Sequence, residues 1–181
     1  PTNTAALDRS DADLGSTAPV LLGGGLVAQG GKDGRIRLLD WRTMQGAAPH
    51  QGGERQVVAT PSGGDLFTAP AVLHTPASTW LFAADNGATE AWMLEGDTLR
   101  SAWRNDHAGT SPVAADGMLL VYDPHGALRI YDATSGRELA ALHCGAGHWN
   151  SPIVADGRIA LPEGNANQHG TSGVLNIWRL R

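Results

Sequence analysis

Most of the side chains in this chain that could carry chemistry sit in short polar segments rich in glycine. Asp85, Asp123 and Glu163, with Asp33, Asn86, Asn165 and Asn167, form an oxygen-rich set of the kind that suits a hard cation such as Ca²⁺. Asp85, Asp123 and Glu163 are the metal-ligand candidates among them. His107, His148 and His169 would suit a transition metal instead, but no His-x-His or His-x-x-x-His spacing supports that use, and His125 is a further ligand-binding candidate. The sharpest local feature is His148-Trp149-Asn150. Its indole could stack on a planar ligand while the imidazole and the amide hydrogen-bond to it. Each residue also has an ordinary use. Asp and Asn cap their own backbone in tight turns, histidines sit in solvated loops, and a tryptophan fills gaps between packed sheets. Ser, His and Asp residues for a triad are present, but nothing in their spacing fixes a geometry.

Whatever these residues do, a scaffold must position them. The chain has 181 residues, 24 of them glycine and 10 proline, with only 17% charged, which favours short strands joined by turns. The net charge of -5 comes without any Lys/Arg cluster, so no electrostatic footprint for nucleic acid exists. No apolar run reaches the length of a membrane span. A single cysteine, Cys144, excludes an internal disulfide framework and leaves the redox compartment open. The first residue is Pro1. A start without Met suggests a processed or excised piece, so the missing leader says little about location.

The scaffold shows itself as a repeat. "TSPVAADGMLLVYDPHGALRIYD" around Pro112 is echoed by "NSPIVADGRIAL" around Pro152, and earlier by segments around Pro19 and Pro70. The anchoring prolines are 51, 42 and 40 residues apart. Each unit reads small residue, Pro, aliphatic residue, a turn, an alternating strand, a polar Gly turn, and a second alternating strand. Proline fits at a strand's first residue, where no ladder donor is needed. Asp116-Gly117 is a favoured hairpin dipeptide. The third unit then predicts strands at 112–115, 118–122, 128–132 and 138–143. Corresponding third strands are "RIRLLD" (35–40), "TEAWML" (89–94) and "VLNIW" (174–178).

This pattern predicts an all-β chain of four antiparallel, four-stranded blades stacked radially as a β-propeller, the last blade lacking its outer strand. The units run over residues 16–60, 67–104, 110–143 and 150–181. Residues 16–181 form a single propeller domain or half-propeller. Residues 1–15 serve as a linker or closing segment, within which Thr4 to Leu7 could add a short strand. Trp41, Trp80, Trp92, Trp103 and Trp178 read as packing between blades. In such an architecture the loops leading into each first strand, and those between second and third strands, gather on one face around the channel. The residues of the first paragraph all fall in these loops. The longest loop, 162–173, carries Glu163, Asn165, Asn167 and His169, and long loops are more often functional.

The units "SPVAADGMLLVYDPHGALRIYDATSGREL" and "SPIVADGRIAL" resemble the repeats of pyrroloquinoline-quinone-type propellers, a superfamily that includes quinoprotein alcohol dehydrogenases and an outer-membrane assembly lipoprotein. The resemblance covers about residues 11–181. Intact members have seven or eight blades, so it implies that this chain is about half of a ring. The other half would be a covalent neighbour or a second copy. The family's docking motif, Ala-x-Asp-x-x-Thr-Gly-Lys-x-x-Trp, is degenerate here: Asp132, Ser135 and Gly136 fit, but Ala140 replaces the Trp. Trp103 is the candidate for the docking part in the second unit.

The resemblance also implies Ca²⁺ or pyrroloquinoline quinone as possible cofactors and a secreted or periplasmic location. A catalytic member would need a vicinal Cys pair, which this chain lacks, so the chain by itself supports neither cofactor. The expected function is a non-catalytic scaffold that binds a protein or small ligand at the channel mouth. The alternatives are a fragment of a quinone-dependent dehydrogenase and a WD-repeat-like interaction module. The absent Trp-Asp pairs argue against the last.

Overall fold

The structure is a computed structural model that describes residues 4–44, 53–164 and 173–180. Its strands form four antiparallel sheets in strict chain order. Blade 1 contains β1 (Val20–Gly23), β2 (Leu26–Gly30), β3 (Arg35–Asp40) and β4 (Glu54–Ala59). Blade 2 contains β5 (Ala71–His74), β6 (Thr79–Ala84), β7 (Thr89–Glu95) and β8 (Thr98–Asn105). Blade 3 contains β9 (Val113–Ala115), β10 (Met118–Asp123), β11 (Ala127–Asp132) and β12 (Glu138–His143). Blade 4 shows three strands among the described residues, β13 (Ile153–Ala155), β14 (Arg158–Glu163) and β15 (Val174–Arg179). The inner strands β1, β5, β9 and β13 lie side by side in that order. The blades form an arc, and the ring is not closed.

Burial follows from this stacking. A second strand is sandwiched between two neighbouring blades, so β6 and β10 are buried on both faces nearly end to end. Outer strands border solvent, and β4 and β12 alternate instead. The core is therefore three separate seams. Leu22, Ile36 and Leu38 meet Leu81 and Trp92 between blades 1 and 2. Phe82 and Ala91 meet Leu119, Val121 and Tyr131 between blades 2 and 3. Leu120, Tyr122 and Leu128 meet Ile159 and Leu161 between blades 3 and 4. Each fully buried Leu or Phe contributes about 1.5–3 kcal/mol, so a seam carries most of the holding energy of its two blades.

Turn chemistry sets the hairpins. Asp116 and Gly117 have φ of 50° and 76°, and Asp156 and Gly157 have 49° and 66°. These left-handed pairs match the type I′ hairpin, whose twist suits the flanking strands. The ladder between third and fourth strands shifts register at one equivalent place in every complete blade, at Leu38/Leu39, Ala91/Trp92 and Ile130/Tyr131.

Trp103 docks as expected. Its Nε1–H donates to the Ala133 carbonyl at 2.9 Å. The ring lies over Gly136 so closely that a Cβ there would come within 2.5 Å. Trp80 and Trp92 are buried at the seams and Trp178 packs into the third one. Trp41 departs from expectation. It sits on the turn after β3 with 58% of its surface exposed, past the end of the sheet and so beyond the reach of a neighbouring blade. The N-terminal segment also differs: Thr4–Arg9 is a short helix (α1), not a strand. Ala5, Ala6 and Leu7 are good helix formers, and no sheet edge engages them.

Candidate functional site at the channel mouth

Three of the candidate carboxylates occupy one structural position. Asp85 follows the last residue of β6, Asp123 ends β10 and Glu163 ends β14. Their partner positions across the ladders correspond blade by blade. Gly31 stands at the matching place in blade 1, so only three blades carry the acid.

Each carboxylate holds backbone. Asp85, 2% exposed, accepts Gly87 N–H and Ala88 N–H at 2.9 Å on Oδ1, and Ser62 N–H at 2.7 Å on Oδ2. It thereby ties its own turn to the loop leading into blade 2. Glu163 does the same in blade 4, accepting from Gly145 N–H and, at 2.9 Å, from Asn176 Nδ2–H. Tyr122 reinforces that loop by donating its hydroxyl to the Gly145 carbonyl at 2.7 Å. Burial, helped by the nearby Cys144 and Glu163, pushes that phenol up to about 12. Asp123 Oδ1 accepts His125 N–H at 3.0 Å and lies 2.8 Å from His125 Nδ1, while Arg129 Nε stands 3.6 Å from its other oxygen. The three acids stand on successive blades. Among the described residues, no three acid, imidazole or thiol groups stand together as a metal cluster.

The histidines are dispersed as well. The His107 backbone N–H bonds Asn105 Oδ1 at 3.0 Å, and its carbonyl accepts the Thr89 hydroxyl at 3.1 Å. The His125 ring is 79% exposed. The His148 backbone N–H bonds Asn150 Oδ1 at 2.9 Å, and Asn150 Nδ2–H donates to the Pro162 carbonyl at 2.9 Å. Asn165, Asn167 and His169 lie outside the described residues. Pro162 and Glu163 belong to β14, so the long loop begins after them.

What does converge is aromatic. Trp149, 52% exposed, meets Phe67 edge-on, with ring centroids 5.3 Å apart and planes at 60°. The His148 ring lies 4.3 Å from the same indole at 65°. Phe67 belongs to the loop leading into blade 2 and Trp149 to the loop leading into blade 4, so this contact spans the mouth. Lys32, from the β2–β3 turn of blade 1, places its ammonium 5.9 Å from the Phe67 centroid. The ammonium also bonds Asp13 at 2.6 Å and Asp11 at 3.2 Å, and Asp13 first, then Asp11, raises its pKa. Trp149 is thus a mouth residue and not a seam filler.

Phe67, Lys32, Tyr122 and Asn176 were not among the sequence candidates. One signal could have found Phe67: it lies three residues before Pro70, as Trp149 lies three residues before Pro152. The other two units carry Ser16 and Gly109 there, so the aromatic falls on alternate blades. Cys144 is buried, and burial raises its thiol pKa.

No family model matches the chain, and no curated relative matches it. Solved structures do. BamB from Moraxella catarrhalis superimposes with a TM-score of 0.67 at 18% identity, over 90% of this chain and 45% of BamB. The computationally designed Ika8 protein gives 0.58 at 14%, over 91% of this chain and 45% of that one. The computationally designed Ika4 protein gives 0.55 at 15%, over 91% and 92%. At these identities the likeness shows the fold, a β-propeller. The chain spans about half the length of BamB and of Ika8.

Proposed function

We propose that the chain is a non-catalytic propeller scaffold that binds a protein or small ligand at its channel mouth. The observation that carries this reading is the half-exposed Trp149, braced edge-on by Phe67 from another blade and by His148. A rigid, half-exposed indole offers a large contact area at little entropic cost. Asp85 and Glu163 hold the loops leading into blades 2 and 4 in place, which supports a binding role over proton transfer. The remaining blades of the ring would come from a covalent neighbour or a second copy. The resemblance to quinoprotein repeats and to BamB supports a location outside the cytoplasm.

Selection of a random-peptide library against the immobilised chain tests the reading. Selected peptides should lose binding to Trp149→Ala and His148→Ala chains. Peptides indifferent to both changes would remove the mouth from consideration. A second arm addresses the dehydrogenase alternative. With pyrroloquinoline quinone and Ca²⁺ added, dye reduction that disappears in Asp85→Asn or Asp123→Asn would move the reading to an oxidoreductase.

A further inference from the structure

At the opposite end of the sheets from the mouth, blades 1 and 2 part around a cleft of about 450 Å³. That volume lies within the range of small-molecule sites. Blade 1 gives the cleft a cationic wall. Asp40, 5% exposed at the foot of β3, accepts Arg42 Nε–H on Oδ1 and Arg42 Nη2–H on Oδ2, both at 2.8 Å. Arg55 Nη2 reaches Oδ2 at 3.4 Å, and Arg42 N–H adds a bond to Oδ1 at 3.0 Å. The Arg42 hydrogen bonds hold the Asp40 carboxyl well below the usual carboxylate range, so it remains an anion and a fixed anchor. Arg42 lies against Gly25, where a Cβ would come within 2.5 Å of Nε.

One buried carboxylate therefore orients two guanidiniums that stay 57% and 46% exposed. One positive charge is left in excess on this wall. Blade 2 supplies the facing wall. His74 holds Thr79 through Nδ1 at 3.0 Å. Asp97, on the turn after β7, forms no salt bridge with any described residue. Leu22, Leu26 and Leu94 give the lining its apolar part.

A cationic wall facing an unpaired carboxylate across an apolar lining is complementary to a particular ligand shape. We propose that this cleft binds a small zwitterion, its carboxylate on Arg42 and Arg55, its ammonium toward Asp97, and a short apolar span between. Asp40 takes up one fork of Arg42 and one Nη2 of Arg55, and the remaining guanidinium N–H groups can meet the oxygens of a ligand carboxylate. The site is independent of the mouth and does not rest on the scaffold reading.

The test is a titration of the whole chain with 5-aminopentanoate, followed through the arginine Nε–H resonances. Pentanoate and pentylamine serve as the two half-ligands. Saturable shifts of Arg42 and Arg55 are expected with 5-aminopentanoate, and weaker binding of either half. Arg55→Gln should cut affinity about tenfold, the worth of one charge-assisted hydrogen bond. Asp97→Asn should weaken 5-aminopentanoate and leave pentanoate unchanged. Both changes are at exposed side chains, and an unaltered melting curve shows that each variant folds. Equal affinity for pentanoate and 5-aminopentanoate would overturn the proposal. So would an absence of saturable shifts at millimolar ligand, or full affinity in Arg55→Gln.

Discussion

Blade 3 and blade 4 carry similar side chains at matching places on their rear faces, and the structure treats them oppositely. Leu128 and Ile130 of β11 correspond in register to Leu175 and Ile177 of β15. The first pair is 0% and 6% exposed, and the second is 61% and 60% exposed. Ile153, at 64%, lies on the same open face, across from Ala160. Blade 1 presents a smaller such face at the other end of the arc, through Leu21 at 69% and Val57 at 45%. The difference lies in the neighbour, since blade 4 covers blade 3 and nothing described covers blade 4. A blade's apolar pattern is thus written for two neighbours whether or not both are present. An apolar face of this kind suits the proposed covering by further blades.

Substitutions at the paired positions should separate the two faces most strongly. Leu128→Ala should cost about 3 kcal/mol, because it removes a fully packed side chain and leaves a cavity. Leu175→Ala in the isolated chain should stay within about 0.5 kcal/mol. Guanidinium midpoints of the two variants read the contrast, and equal costs would dissolve it. The seam between blades 2 and 3 offers a sharper test of what seals a joint. Trp103→Phe keeps a ring over Gly136 but leaves the Ala133 carbonyl without its donor, at a cost of about 1–2 kcal/mol. The exposed Trp41→Phe should be neutral by the same measurement.

Alkaline pH loads the seams and spares the open face. Burial, the main cause, pushes Tyr122 and Tyr131 up to about 12, from an ordinary value of 10.0. Between pH 10 and 12 the unfolded chain releases phenolic protons that the folded chain retains. Stability is therefore full below pH 10 and falls as pH rises through that window. Tyr131→Phe should flatten the fall, as read from denaturant midpoints taken across the window. The smallest expected effect is at the surface. Arg100 and Glu95 form a 2.6 Å pair with both side chains about half exposed, and Glu95→Ala should change stability by less than about 0.5 kcal/mol.

How far the sequence shows the fold depends on whether a feature is local. The strands Arg35–Asp40 and Glu138–His143 form with the bounds their alternation implies. Asp116-Gly117 makes the turn its residue types demand, and the proline spacing counts the blades. The docking of Trp103 was legible because the following unit supplies the small Gly136 it needs. Features that depend on distant contacts were not. The shared spacing to the anchoring prolines marks Phe67 and Trp149 as equivalent positions, but their contact exists only because the arc brings two leading loops together. Turn chemistry and metal chemistry use the same carboxylate oxygens, so residue type does not separate the two. Only the bonds from Ser62 and Gly145 reveal which loops these side chains hold.

The proposed covering of blade 4 by further blades rests on its open face, where Ile153, Leu175 and Ile177 stand exposed. Light scattering across a range of concentrations, on the chain and on its Ile177→Asp variant, tests it most directly. The unmodified chain should associate as concentration rises, to a dimer or beyond, and Ile177→Asp should shift the population toward monomer. A folded monomer at every concentration, indifferent to Ile177→Asp, would contradict it.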